Sequence, residues 1–435
     1  METEEFANQF FKKLMGEYDH QQYSHSGIDG HRVANRLAEL SRIGLTPEGG
    51  SSRMGFSKEE REAKELVKSW MKEAGLSVRE DGAGNVFGRL EGKVKGEAAV
   101  LSGSHVDSVP NGGHFDGPLG VLAALEVVEA WRETGFVPNK PYEVVIFTDE
   151  EGSRFNGGLL GSEAMIGEID REHMLKLVDV YGNSFEQVLT EYGLSVDHFF
   201  TSERVLSEVA AFVEVHIEQG KRLEKEDLPV GIVTGIAGPC WMEISFIGEA
   251  GHAGNTPMDD RADALIAASR FVSKVEELPS VVSPSAVATV GRLHVYPNGV
   301  NVIPGKVTLT VDIRDIHEET RDELVEKIVL LGEQVAAERG VSVEMNEKTR
   351  IMPVPVSEEM QRKGKAAVEK LGYRPYYLPS GAGHDAMIVG RKVPAAMLFT
   401  RSKDGVSHNP KEWSSLNDCV ATIHVLKNMV EELVK

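Results

Sequence analysis

The chain has 435 residues, 41% of them hydrophobic, and a formal net charge of −21. That length is more than one core usually serves, so two domains are expected, and the composition is that of a folded globular protein. The acidic balance argues against a nucleic-acid partner, no apolar run reaches the roughly 20 residues of a membrane span, and the N-terminus lacks the apolar core of a secretory signal.

Residues 1–43 alternate charged and apolar positions at helical spacing, which predicts surface helices ahead of the core. Ser57 and Glu60 form a capping-box pair, and Ala63, Leu66, Val67, Trp70 and Met71 continue it as an apolar stripe. A strand pair follows at 77–80 and 85–90, split by a glycine-containing turn. The apolar run 98–101 reads as a buried strand that breaks into a loop rich in glycine and serine. A helix over 118–133 opens on a proline, and strand 142–148 comes next. This strand–helix–strand order predicts a mainly parallel α/β sheet, with ligands at the carboxyl ends of its strands. A polar helical region over about 162–208 leads to a strand at 210–216.

From about residue 240 the pattern changes. Strand 241–247, helix 260–277, strands 286–294 and 306–313, helix 319–338 and strand 341–345 give the order β-α-β-β-α-β, the ferredoxin-like signature. Helix 357–371, strand 394–400 and helix 417–434 then resume the first fold. The expected organisation is a hydrolase domain from 1–239 and 354–435, interrupted by a small α+β domain over 240–353.

Both acidic clusters stand at strand ends. His105, Asp107 and Asp116 share the glycine-rich loop after the first apolar strand, and Asp149-Glu150-Glu151 follow the second. Imidazoles and carboxylates converging there are what a borderline or hard divalent ion needs. Asp116 is the candidate bridge between two ions, because one carboxylate can hold a pair of cations about 3.5–4 Å apart. Asp107 fits the carboxylate that orients His105. If one of Glu150 and Glu151 binds metal, its neighbour is free to act as a general base on bound water. His216, at the end of its apolar strand, and His408, beyond strand 394–400, complete a set of three imidazoles and two carboxylates with His105, Asp116 and Glu151. Zn²⁺ suits that set, with Mn²⁺ as an alternative. The two cysteines, Cys240 and Cys419, fit no CxxC pattern, which with the missing signal predicts a reducing, cytoplasmic setting. His384-Asp385 lacks a serine or cysteine at elbow spacing, so triad chemistry is disfavoured.

The segments GSHVDSVPNGGHFDGPLGVLA, FTDEEGSRF, EVHIEQG, GEAGHAGNTPM, VNVIPG, SGAGHDAM and DGVSHNPKEW occur in that order, and together they resemble the N-carbamoyl-L-amino acid hydrolase and allantoate amidohydrolase family of di-metal enzymes. The resemblance runs from about residue 44 to the C-terminus. It implies two divalent ions per subunit, Zn or Mn with Co or Ni as substitutes. His105 and His216 would hold one, Glu151 and His408 the other, and Asp116 would bridge them. Glu150 matches the family's general base and Asp107 its supporting carboxylate. Gln219 matches a substrate contact, Asn301 and Arg314 the grip on the substrate carboxylate, and Gly381, Ala382, Gly383 and His384 a substrate-binding loop. His252 matches a small-domain histidine that completes the site and can donate to a developing oxyanion. The small domain would serve as lid and dimerisation element of a homodimer. The substrate implied is a small linear ureido acid: an N-carbamoyl-L-amino acid, or allantoate as the alternative. An aminoacylase or dipeptidase is disfavoured, since those relatives usually carry a carboxylate where His216 stands. A non-catalytic metal scaffold would have no use for Glu150.

Overall fold

The computed structural model describes residues 3–435. They divide into two compact units, the first comprising residues up to Val233 together with 356–378 and 384–435, the second 234–355 together with 379–383. Gly381, Ala382 and Gly383 therefore belong to the second unit.

In the first unit the strands lie side by side in the order Ser77–Glu80, Val86–Leu90, Tyr142–Phe147, Ala99–His105, Val209–Ile217, Ala395–Thr400 and Val230–Ile236, the last of which runs on into the second unit from Thr234. The central strands, from Tyr142–Phe147 to Ala395–Thr400, are parallel, and pairing turns antiparallel toward both edges. Every residue of Ala99–His105 and Tyr142–Phe147 is buried. That is the pattern of parallel strands covered on both faces, and it explains their unbroken apolar runs. Helix Pro118–Thr134 is buried all round from Pro118 to Trp131 and ends at Gly135, whose φ of 71° closes the C-terminus in the left-handed region. Leu122, Val144, Val213, Leu398 and Ile423 share one apolar core with it.

Three features depart from the sequence expectation. The strand expected to stop at Leu101 continues to His105, so His105 ends a strand and does not stand on the loop. Ser102 and Ser104 look like turn residues, but the Ser102 hydroxyl donates to the Val213 carbonyl and the Ser104 hydroxyl to the Glu214 carboxylate, each at 2.6 Å. Their polarity is satisfied inside the sheet. Gly103 is needed there for close approach, since a Cβ on it would lie 1.9 Å from the Val145 carbonyl oxygen.

The N-terminal helices are not surface decoration. Gly30–Leu40 buries Val33, Ala34, Leu37 and Leu40. Its Arg32 and Arg36 pair with Glu126 and Glu129 of helix Pro118–Thr134 at 2.7 and 2.6 Å. Charged residues that read as solvent-facing are consumed in part-buried ion pairs, which periodicity alone cannot reveal. The polar stretch after the second acidic cluster is a set of short helices, Leu160–Met165, Arg171–Met174, Phe185–Tyr192 and Val196–Phe199. They enclose a separate aromatic core of Phe56, Phe155, Phe185, Tyr192 and Phe199. Strand Val230–Ile236 was not anticipated.

The second unit is a four-stranded antiparallel sheet in the order Ser342–Arg350, Gly238–Ile247, Lys306–Asp315, Val287–Tyr296. Helices Ala264–Val275 and Glu318–Arg339 cover it around Ile244, Phe246, Phe271, Leu309 and Ile328. The chain's fourth, first, third and second strands of this unit thus lie side by side, as the ferredoxin-like reading requires. Among the described residues, no helix is long and apolar enough to cross a membrane.

Gly103→Ala should lower unfolding free energy by about 1–3 kcal/mol through overpacking. Urea melts of the variant check this, and an unchanged midpoint would remove the close-approach explanation.

Candidate metal centre

Parallel strands deliver their carboxyl ends to one edge of the sheet. His105 closes its strand, His216 is the penultimate residue of Val209–Ile217, Asp149-Glu150-Glu151 follow Tyr142–Phe147, and His408 lies beyond Ala395–Thr400. The neighbour order puts these ends next to one another, and Asp116 reaches them from the loop before helix Pro118–Thr134.

The two oxygens of Asp116 face different partners. Its Oδ1 lies 3.0 Å from His216 Nε2 and 3.6 Å from His105 Nε2. Its Oδ2 lies 3.4 Å from His408 Nε2, which is also 3.4 Å from Glu151 Oε2. Two candidate ligand sets result, His105, Asp116 and His216, and Asp116, Glu151 and His408, with ligand atoms within 4.8 Å of one another in each. The spacing suits a cation, since two ligands each about 2.1 Å from a tetrahedral ion sit roughly 3.4 Å apart.

The imidazole tautomers favour the same reading. His105 Nδ1 faces the Asp107 carbonyl at 3.1 Å, and His216 Nδ1 faces the Ile217 carbonyl at 3.0 Å. A carbonyl accepts only, so each ring donates from Nδ1 and presents Nε2 to Asp116, where a proton or a metal ion must stand. His105 Nε2 is buried without a hydrogen-bond partner among the described residues. A lone pair facing a carboxylate oxygen needs a positive species between them, and the residues present fit a divalent ion.

Asp107 does more than orient His105. Its carboxylate stands 3.5 Å from His105 Nδ1 and accepts the backbone N–H groups of Glu150 and Glu151 at 3.3 and 3.1 Å. One buried side chain thereby fixes the loop after His105 against the acidic pair. Glu150 lies outside both ligand sets, with Oε2 3.6 Å from His105 Nε2 and Oε1 4.0 Å from His384 Nδ1.

Burial lifts the Glu150 carboxyl well above the usual range, with the charges of Glu151 and Asp385 adding to it against His105. Burial, and then the Asp116 charge, push Glu151 up to about 7. Burial works against a charge on His105, yet Glu150 and Asp107 hold it well above an ordinary imidazole. The hydrogen bond to Asp116 raises His408 to about 9. His384, buried beside His216 with ring centroids 4.3 Å apart, is held well below the ordinary value by that burial and by the neighbouring ring. His384 thus brings its side chain into the centre, where only a loop contact was expected.

Gln219, expected to meet substrate, has its Nε2 donating to Asp116 Oδ2 at 2.7 Å. The remaining expected residues belong to the second unit. His252 and Val302 pair across the short strands Gly251–His252 and Val302–Ile303, with Asn301 next in the chain. His252 Nδ1 accepts from the N–H groups of Gly254 and Asn255 at 3.1 and 3.3 Å, leaving Nε2 as the donor. Arg314 forks onto Asp312 through Nε and Nη2 and donates from Nη1 to the Gly381 carbonyl.

Residues that the sequence did not single out also act here. Glu214 accepts from the Ser104 hydroxyl and from the Ala386 N–H at 2.9 Å. Glu412 and Ser407 contact Asp116. Both lie in the DGVSHNPKEW segment, but their residue types alone do not separate them from an ordinary polar loop.

Residues 101–432 match the peptidase family M20/M25/M40. The chain belongs to that family and is an enzyme of the hydrolase class it defines, as the seven motifs had indicated. It is 46% identical over 408 residues to an N-carbamoyl-L-amino acid amidohydrolase of Geobacillus stearothermophilus, covering 94% of this chain and 99% of that protein. An allantoate amidohydrolase of Bacillus subtilis strain 168 is 37% identical over 92% of this chain and 97% of its own length. Among solved structures, an amidase of the hydantoinase/carbamoylase family from Burkholderia multivorans superimposes with a TM-score of 0.87 at 36% identity, covering 94% and 98% of the two chains.

Proposed function

We propose that the protein hydrolyses the ureido C–N bond of N-carbamoyl-L-amino acids, releasing the L-amino acid, carbon dioxide and ammonia. The observation that carries hydrolysis is Glu150, a buried carboxylate 3.6 Å from His105 of one ligand set, next in the chain to Glu151 of the other, and a member of neither. The substrate class rests on the 46% identity with the Geobacillus amidohydrolase over nearly the whole chain.

His105 and His216 would hold one divalent ion, Glu151 and His408 a second, with Asp116 shared. Zn²⁺ or Mn²⁺ suits this mixed imidazole and carboxylate set, and Co²⁺ or Ni²⁺ could replace them. Such ions, when bound, polarise a carbonyl and make bound water acidic. Glu150 takes a proton from the attacking water and passes it to the departing amino nitrogen. Asp107 keeps His105 and the Glu150-Glu151 backbone in register for that transfer. Arg314, with Asn301, grips the substrate carboxylate through the Nη1 and Nη2 hydrogens that Asp312 and the Gly381 carbonyl leave over. His252 Nε2–H donates to the developing oxyanion, and the backbone of Gly381, Ala382 and Gly383 lines the substrate. Gln219 holds Asp116 and can reach substrate from there.

Allantoate is the second reading, supported by the 37% identity with the Bacillus amidohydrolase. It carries the same two groups, a linear ureido function next to a carboxylate. The homodimer is supported by strand Val287–Tyr296, a long edge strand with mostly exposed residues and, among the described residues, no partner beyond Lys306–Asp315. Such an edge is a template for pairing with another chain. Light scattering on the full chain should return twice the monomer mass, and a monomer at micromolar concentration would withdraw the dimer.

Ammonia release is the deciding assay, run on N-carbamoyl-L-amino acids, allantoate and N-acetyl amino acids with and without chelator. Chelator-sensitive turnover fastest on the carbamoyl acids is expected, while preference for allantoate would select the second reading. Glu150→Gln should lower kcat by about 10²–10⁴-fold with metal content unchanged. Normal turnover would reassign the base. Arg314→Ala should raise KM by about 10–100-fold for acids, the scale of a charged hydrogen bond, and leave amide analogues nearly unaffected. Equal effects on both would reject that grip.

A further inference from the structure

Glu412 is a glutamate with no role in the reaction as described, and it is almost wholly buried, at 4% exposure. Its Oε1 accepts the backbone N–H groups of Phe115 and Asp116 at 2.9 and 3.1 Å. Its Oε2 lies 3.0 Å from the Ser407 hydroxyl, which reaches Asp116 Oδ2 at 2.8 Å. The loop is shaped to receive it, because a Cβ on Gly113 would fall 2.0 Å from Glu412 Oε1 and 2.4 Å from Oε2. Glu412 also follows His408 by one short turn of chain, so one segment supplies a ligand and the clamp.

The two ligand sets differ in support. His105 and His216 are at most 1% exposed and sit on adjacent sheet strands. The His408 side chain is 51% exposed, on a loop, with a φ of 52° that an L residue seldom adopts. Glu412 is what joins the loop carrying His408 to the backbone of Asp116.

We infer that Glu412 is a positioning residue: its carboxylate docks the His408 segment on the Gly113–Asp116 loop and so builds the ligand set of Asp116, Glu151 and His408. This rests on the metal reading given above. It acts as a hydrogen-bond acceptor for two backbone donors, and glutamine can supply the same acceptor oxygen plus an N–H for Ser407. Charge is not what the role requires.

The test is calorimetric titration of the chelator-stripped full chain with Mn²⁺, alongside electron paramagnetic resonance and circular dichroism. The native protein should take up a pair of ions with an exchange-coupled spectrum. Glu412→Ala should weaken the ion on Glu151 and His408 by about 10–100-fold, the usual effect of losing an outer-shell partner, and the ion on His105 and His216 clearly less. Its spectrum should change to that of isolated Mn²⁺. Glu412→Gln should bind and couple the pair as the native protein does. Gly113→Ala, which displaces the same carboxylate from the opposite side, should reproduce the Glu412→Ala loss, and the double variant should be no worse than either. Native pair binding by Glu412→Ala, failure of Glu412→Gln equal to that of Glu412→Ala, or native binding by Gly113→Ala would each overturn the assignment and leave the hydrolase reading standing. A native chain that takes up no ion would overturn both.

Discussion

Too many carboxylates share too little water at the carboxyl edge of the sheet. Asp107, Asp116 and Glu412 are at most 4% exposed, and the side chains of Glu150 and Glu151 at most 9%. The cationic groups in contact with them are imidazoles. Arg53, buried behind the loop, directs its donors to the carbonyls of Val106 and Ile43. Burying an unpaired carboxylate costs several kcal/mol, so this group of anions is stable at neutral pH only with added positive charge or added protons. The upward shifts of Glu150, Glu151 and Glu412 and of His408 express that demand from the two sides. Divalent ions held as proposed would answer it and supply the chemistry in the same act.

The sheet makes this crowding affordable by rigidity. Adjacent parallel strands place His105 and His216 side by side with little freedom, and Asp107 and Glu214 tie their surroundings through buried hydrogen bonds. Residues set on strand ends are held more tightly than residues on long loops.

Much of this was legible in the chain. Unbroken apolar runs ending in acids and histidines marked the strands and their functional ends, and the β-α-β-β-α-β order marked the second unit. What escaped did so for physical reasons. Ser102 and Ser104 hide their hydroxyls on Val213 and Glu214, so a strand looked like a loop. Arg32 and Arg36 meet glutamates almost a hundred residues away, so core helices looked like surface ones. Glu412 gains its meaning only from Gly113 and from the Asp116 backbone, contacts between segments far apart in sequence.

With two ions bound as proposed, the unequal exposure of the histidines would set an order of exchange. In the proposed site an ion on His105 and His216 would be the more buried of the two, since the His408 ring meets solvent. Loading would fill the inner position first, and a scavenger would strip the outer one first. Preparations with a single ion per chain would then be uniform in which position is filled, and inactive material could be restored by replenishing the outer ion alone.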